Sequence, residues 1–279
     1  MTTIGEALGE ARGKLASAGI ETAALDARLL AEAVTGLRHE EMIAEPSREI
    51  GTETAETFRH LVARRQTREP VSRILCRREF YGRTFEVTPA VLDPRPDTET
   101  LIELALPHVT PRTRILDLGT GSGAIVITLL AECAEARGVA TDLSAEALAV
   151  AKRNARLHGV AERVQWLHGS WFEAVPGQFH LIVSNPPYIP LGDIARLPPE
   201  VRGFDPAIAL DGGPDGLEAY RRIAARAGVH LAPGGHILVE IGAGQEQEVS
   251  AIFAVLGFRQ ENAKADLAGH VRCLAFTTR

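Results

Sequence analysis

The 279-residue chain is long enough for one large domain and a smaller one. Its 45% hydrophobic content fits a globular core, and no apolar run reaches the roughly 20 residues that span a bilayer. A formal net charge of -6 argues against a protein that holds nucleic acid by neutralising phosphates.

Cys76, Cys133 and Cys273 are odd in number and far apart, so disulfides and zinc spacing are unsupported and the expectation is three small buried hydrophobes. The first residues, Met1 to Lys14, are polar and mixed in charge. They match neither a signal nor a transit peptide, which places the expected location in the cytoplasm.

Residues 1–75 read as helices alone. Ile4, Ala7, Leu8, Ala11 and Leu15 recur at the spacing of one helix face. Leu25, Leu29, Leu30, Ala33 and Val34 predict a second buried face, with Gly36 as its stop. Thr52 to Arg68, with Phe58, Leu61 and Val62, predicts a third helix. From Arg59 to Arg78 the arginines 59, 64, 65, 68, 73, 77 and 78 face one acid, Glu69. That run reads either as a solvated helix face or as a docking patch for an acidic macromolecule.

Residues 76–93 form the expected linker, with Phe80 to Val87 patterned as a β-hairpin around Gly82. Pro94 to Glu99 then stiffens the approach to a helix through Leu101, Ile102, Leu104 and Ala105, which Asp97 or Thr98 could cap. Over 94–279 strands are predicted at 113–118, 137–141, 163–168, 179–184, 235–241, 257–262 and 271–277. Helices are predicted near 124–135, 144–158, 215–228 and 245–256. The fold class is therefore α/β, Rossmann-like, with a mostly parallel sheet and an antiparallel hairpin at one edge.

Chemistry concentrates at three strand ends. After the first strand comes Asp117-Leu118-Gly119-Thr120-Gly121-Ser122-Gly123, a turn whose glycines permit positive φ and close ligand approach. Its glycines alternate instead of following G-x-G-x-x-G, which disfavours a dehydrogenase, and Asp117 suits a cationic ligand better than a pyrophosphate. After the second strand, Asp142 can accept hydrogen bonds from both ribose hydroxyls of an adenosine, or can cap the next helix, a task open to Ser144 as well. After the third, Trp171 can flank an adenine or simply pack. After the fourth comes Ser184-Asn185-Pro186-Pro187-Tyr188. Its prolines fix φ and lack N–H donors, so it reads as a rigid turn that presents carbonyl oxygens, an amide and an aromatic face.

Taken together, Asp117 to Gly123 and Asn185 to Tyr188 resemble the class I S-adenosylmethionine-dependent methyltransferases that modify planar nitrogens. Pro94 to Glu99, Phe204 to Ala207, Leu210 to Leu217 with Tyr220-Arg221, Glu240 to Gly242 and Asp266 to Gly269 narrow the resemblance to bacterial release factor glutamine methyltransferases (the HemK/PrmC type), over essentially the full length. The resemblance implies S-adenosylmethionine as cofactor, S-adenosylhomocysteine as product, and no metal. It implies that Gly119, Thr120, Gly121, Ser122 and Gly123 wrap the methionine portion, with Asp142 on the ribose and Trp171 at the adenine. Asn185 would touch cofactor and substrate, with Asn185 and Pro186 catalytic and Asn185, Pro186, Pro187 and Tyr188 clamping the substrate. That substrate would be the glutamine of the Gly-Gly-Gln motif of class I peptide chain release factors, docked by the N-terminal helical domain, with no sequence-specific nucleic acid and no membrane partner. Many relatives carry Asp where this chain has Ser170, so Ser170 is given no ligand role. The alternatives are a glutamine methyltransferase of a ribosomal protein, an adenine-N6 DNA methyltransferase and a non-catalytic scaffold.

Overall fold

The computed structural model describes residues 2–278. The chain forms two compact units, one running to Cys76 and including Pro198–Phe204, the other comprising Arg77–Leu197 and the chain from Asp205 onward. The hairpin thus belongs to the second unit, and one distant segment joins the first.

In the first unit, β1 (Thr2–Thr3) pairs antiparallel with β2 (Glu49–Ile50) beside α1 (Ile4–Ser17), α2 (Ala23–Thr35), α3 (His39–Ala44), α4 (Thr52–Gln66) and α5 (Val71–Leu75). The start of α1 is set by a capping box, in which Glu6 N donates to Thr3 Oγ1 and Thr3 N donates to Glu6 Oε2. Ile4, Leu8, Leu15, Leu30, Phe58 and Val62 are buried together, each stabilising the unit by roughly 1.5–3 kcal/mol.

The apolar face expected for α2 is rotated. Leu25 is 45% exposed, whereas Asp26 is buried, because Arg65 Nε of α4 donates to Asp26 Oδ2 at 2.7 Å. A buried carboxylate must face its cation, and that pair turns the helix away from the pattern of its leucines. Gly36 does end α2, with φ of 70°.

The arginine-rich stretch is largely consumed inside the fold. Arg64 pairs with Glu69, Arg65 with Asp26 and Glu200, Arg68 with Glu200, and Arg78 lies 4.0 Å from Asp93. Arg73 is itself buried. Of the seven, Arg59 and Arg77 are the exposed ones.

The second unit opens with the hairpin β3 (Arg77–Phe80) and β4 (Arg83–Glu86), then α6 (Glu99–Ala105). The expected cap of this helix is absent. Asp97 pairs with Arg272, and Thr98 turns to Asn185. There follow β5 (Arg114–Leu118), α7 (Ala124–Glu132), β6 (Arg137–Asp142), α8 (Ala145–Leu157), β7 (Val164–His168) and β8 (Phe179–Ser184). At Pro198 the chain joins the first unit, where α9 (Pro199–Arg202) brings in the Glu200 that pairs with Arg65 and Arg68. It then completes the second unit with α10 (Glu218–His230), β9 (Leu231–Glu240), α11 (Glu246–Val255), β10 (Phe258–Ala265) and β11 (Val271–Thr278).

The seven-stranded sheet has the order β10-β11-β9-β8-β5-β6-β7. The pairs from β9 through β7 are parallel, and β10 and β11 close the edge antiparallel. Apolar cores cover both faces, with Ile115, Leu181 and Leu238 in one and Leu116, Ile182 and Val239 in the other. That is why these strands read as continuous apolar runs. Strand order reverses between β5 and β8, and ligands bind at the carboxyl ends of strands at such a switch point. Of the cysteines only Cys273 is buried; Cys76 is exposed and Cys133 half-buried. Among the described residues no helix is long and apolar enough to cross a membrane.

Candidate active site

The turn after β5 is pinned from both sides. Gly119 N and Thr120 N both donate to the Thr141 carbonyl at 2.9 Å, and Thr120 Oγ1 donates to Asp117 Oδ2 at 2.6 Å. Gly121 has φ of 56° and nothing within 4 Å of where a Cβ would stand, so its backbone is open to a ligand. Gly123 serves packing instead. A Cβ there would lie 2.6 Å from Ile127 Cδ1 and 3.2 Å from Ala151 Cβ. Asp117, beneath the turn, is fully buried with Oδ1 unpartnered, and burial pushes its carboxyl up to about 7 despite Thr120.

Asp142, at the end of β6, accepts from Gly121 N and Ser144 N, each at 2.8 Å. The cap of α8 is Ser144, which accepts from Ala147 N at 3.1 Å. Asp142 thereby lines the cavity as a carboxylate tied to the glycine turn, and burial raises its pKa. Trp171 sits in the left-handed region with φ of 48°, a costly conformation for a bulky residue. Its ring carbon Cζ3 is 3.9 Å from the Cβ position of Gly119.

At the end of β8, Ser184 Oγ donates to the Leu118 carbonyl at 2.7 Å, which joins the two loops at the switch point. Asn185 Nδ2 donates to Thr98 Oγ1 at 3.1 Å. The segment beyond is braced from behind: Gln245 Nε2 donates to the Tyr188 carbonyl at 3.0 Å, Ile189 N donates to the Leu210 carbonyl at 3.1 Å, and Gly212 N donates to the Ile189 carbonyl at 2.9 Å. Gly216 is packed so closely that a Cβ would come within 2.4 Å of the Tyr188 carbonyl.

These loops enclose a cavity of about 320 Å³, within the usual size of a small-molecule site. Its wall includes Gly119 to Ser122, Asp142, Ser170, Trp171, Asn185 and Pro187. Three expected site residues are not in the wall: Gly123, Pro186 and Tyr188. Pro186 is buried, and the Tyr188 hydroxyl points at Glu240 Oε1 at 3.4 Å, where burial raises its pKa. Tyr188 thus lies behind the segment, away from the cavity. Ser170 is in the wall, with its own N–H given to Glu173.

The wall fits S-adenosylmethionine. Asp142 can take ribose hydroxyls, and the open backbone at Gly121 admits close approach. Sequence reasoning missed Thr98, which lines the cavity, and Gln245. Arg95, also in the wall, pairs with the buried Asp205. The signal for Thr98 was its place in the stiff Pro94–Glu99 segment, but its partner lies on a strand end far along the chain. Among the described residues no group of His, Cys, Asp and Glu is arranged to hold a metal ion.

Comparison with known proteins places the chain in a family. Residues 6–75 match the family described as PrmC N-terminal domain, and residues 95–193 match the methyltransferase small domain. Among solved structures, a ribosomal protein L11 methylase from Lactobacillus delbrueckii subsp. bulgaricus superposes with a TM-score of 0.52 at 20% identity, covering 72% of this chain and 88% of that one. A methyltransferase from Pyrococcus furiosus gives 0.53 at 20% identity, over 71% and 89%. Both speak for the fold. Among curated proteins, the release factor glutamine methyltransferase of Agrobacterium fabrum is 44% identical over 280 residues, covering 98% of this chain and 97% of the relative. That of Rhodospirillum rubrum is 47% identical over 272 residues, covering 97% and 84%. The same name belongs to a Moorella thermoacetica protein 40% identical over 275 residues, covering 97% of each chain. With full-length identity at this level and both domain families matched, the chain belongs to the release factor glutamine methyltransferase family.

Proposed function

We propose that this protein transfers a methyl group from S-adenosylmethionine to the side-chain amide nitrogen of the glutamine in the Gly-Gly-Gln motif of class I peptide chain release factors. The observation that carries the reading is the placement of Asn185. It stands in the cavity wall at the sheet's switch point, with Nδ2 committed to Thr98 and its carbonyl oxygen left to accept.

A glutamine amide nitrogen is a poor nucleophile because its lone pair is delocalised into the carbonyl. Removing a proton first would need a base far stronger than a protein side chain. The productive strategy is to accept the amide hydrogens with fixed oxygens, so that the nitrogen is held facing the electrophile. Asn185 Oδ1 supplies one acceptor, and the Pro186 carbonyl is the proposed second. Pro187 stiffens the segment and forms part of the wall, while Tyr188 and Gln245 hold it from behind. The bound cofactor supplies an electrophilic methyl on a sulfonium. Asp142 and the Gly119–Ser122 turn bind and orient it, and Trp171 covers the adenine side.

The test is to incubate the protein with methyl-labelled S-adenosylmethionine and, in separate reactions, a class I release factor, ribosomal proteins and duplex DNA. Label on the release factor alone supports the proposal. Label on a ribosomal protein or on DNA, with the factor untouched, overturns it.

A further inference from the structure

Along the carboxyl edge of the sheet, in the strand order β8, β5, β6 and β7, the cavity is lined by Asn185, by the Gly119–Ser122 turn, by Asp142 and by Trp171. Neighbouring strands lie about 4.8 Å apart, so the row spans about 14 Å, room for an extended S-adenosylmethionine. With the ribose on Asp142 and the adenine beside Trp171, the methionine tail extends toward β5 and β8. That tail carries the one anion of the molecule, its α-carboxylate, which calls for a cation or for N–H groups not yet committed.

The glycine turn has little to offer it. Gly119 and Thr120 give their N–H groups to the Thr141 carbonyl, Gly121 gives its own to Asp142 Oδ2, and Gly123 gives its own to the Thr120 carbonyl. Among the described residues the cations in the wall are Arg95 and Arg222. Arg222 donates to Glu218, itself in the wall, so its charge is offset inside the cavity. Arg95 donates through Nη2 to Asp205 Oδ2, and Asp205 is buried outside the wall, its side chain 2% exposed. A guanidinium carries five N–H donors, so Arg95 keeps others for a ligand.

Arg95 also stands at the tail's end of the cavity. Three residues on, Thr98 accepts from Asn185 Nδ2 at 3.1 Å. Beyond Asp205 the wall continues through Pro206, Ile208 and Ala209 to Gly212, whose N–H goes to the Ile189 carbonyl. Both flanks of Arg95 thus lead to the loop after β8. Resting on the methyl-transfer reading above for the identity of the ligand, we propose that Arg95 binds the α-carboxylate of S-adenosylmethionine and that Asp205 is the positioning residue that aims it.

Asp205 holds the guanidinium from outside the cavity, with Oδ2 on Arg95 Nη2 and Oδ1 at 3.4 Å from the Asp93 N–H. A long side chain is thereby ordered before the ligand arrives, and less conformational entropy is lost on binding. Asp142 and Arg95 then grip the cofactor at two separated points, the ribose and the end of the tail. The sulfonium between them is fixed in the stretch of cavity next to Asn185. The glutamine substrate is neutral and makes no demand for a cation there.

The experiment measures, by calorimetry on the full-length protein, the affinity of two ligands that differ at one group: S-adenosylhomocysteine and its decarboxylated analogue, which lacks the α-carboxylate. Wild type should prefer the first by about tenfold to a hundredfold, the worth of a hydrogen bond to a charged group. Arg95→Gln should bind both ligands equally, within about twofold, and should bind the analogue as wild type does. Because Arg95→Gln withdraws a cation from the buried Asp205, the double variant Arg95→Gln with Asp205→Asn is measured beside it and should give the same pattern. Should the single variant fail to fold, the double variant decides. A preference for the carboxylate that survives in these variants overturns the inference. So does an equal loss of affinity for both ligands, which would make Arg95 a structural brace alone. A wild type that binds both ligands equally overturns it without any variant. Failure of the wild type to bind S-adenosylhomocysteine at all would overturn the methyl-transfer reading together with this inference.

Discussion

Asn154 offers a sharp test of how the second unit is held together. It lies on α8, fully buried, and every polar atom of its side chain is used. Oδ1 accepts from Glu86 N at 2.7 Å, while Nδ2 donates to the Glu86 carbonyl at 3.1 Å and to the Ser122 carbonyl at 2.9 Å. One side chain therefore ties the β4 strand to the glycine turn. Asn154→Ala would orphan these three backbone groups, and each buried group left unpaired costs about 1–3 kcal/mol. Allowing for water entering the space, the expected loss is about 3–5 kcal/mol in urea denaturation, with an unchanged slope. Affinity for S-adenosylhomocysteine should fall as well, because Ser122 belongs to the cavity wall. Arg153→Ala is the control. Its ion pair with Glu86 at 2.7 Å has both partners well exposed, so the cost should be under about 1 kcal/mol. If Asn154→Ala costs no more than the control and leaves affinity intact, the bridging account is wrong.

Three further outcomes follow from named groups. Arg65→Ala should destabilise the helical unit by about 3–5 kcal/mol, read by hydrogen exchange on α2 and α4, since it strands the buried Asp26. Glu240 has its folded pKa raised from 4.5 to about 7, so its contribution to stability is present below 4.5 and is lost as pH rises through 7. Relative to wild type, Glu240→Gln should therefore gain about 3 kcal/mol between about pH 4 and about pH 8, as followed by chemical denaturation. Asp142→Ala should weaken S-adenosylhomocysteine binding at least about tenfold by calorimetry, through lost ribose contacts and a freed Gly121 N–H.

Much of the fold is written locally. The alternation of apolar strands with amphipathic helices, the glycine turn and the prolines after β8 are all properties of short windows, and the alternation calls for crossovers and a mostly parallel sheet. What local pattern could not contain is pairing at a distance. The rotation of α2 depends on Arg65 meeting Asp26, and the fate of the arginine stretch depends on Glu200, which arrives from far along the chain. Asn154 did leave a trace. It falls on the same face of α8 as the buried Ala147, Val150 and Ala151, and a polar residue on an apolar face demands a partner. The site shows the same division. Asp142, Trp171 and Asn185 stand out at strand ends, whereas Thr98 gains meaning only when β8 and the segment before α6 converge.

The central claim is that Asn185 directs methyl transfer to one amide nitrogen of a release factor. The most direct measurement is peptide mapping by mass spectrometry of a class I factor after incubation with S-adenosylmethionine and either wild-type protein or Asn185→Ala. The account predicts one added methyl on the side-chain nitrogen of the Gly-Gly-Gln glutamine with wild type, and none with Asn185→Ala even though that variant still binds S-adenosylhomocysteine. Equal modification by both proteins, or a methyl on any other residue, would contradict it.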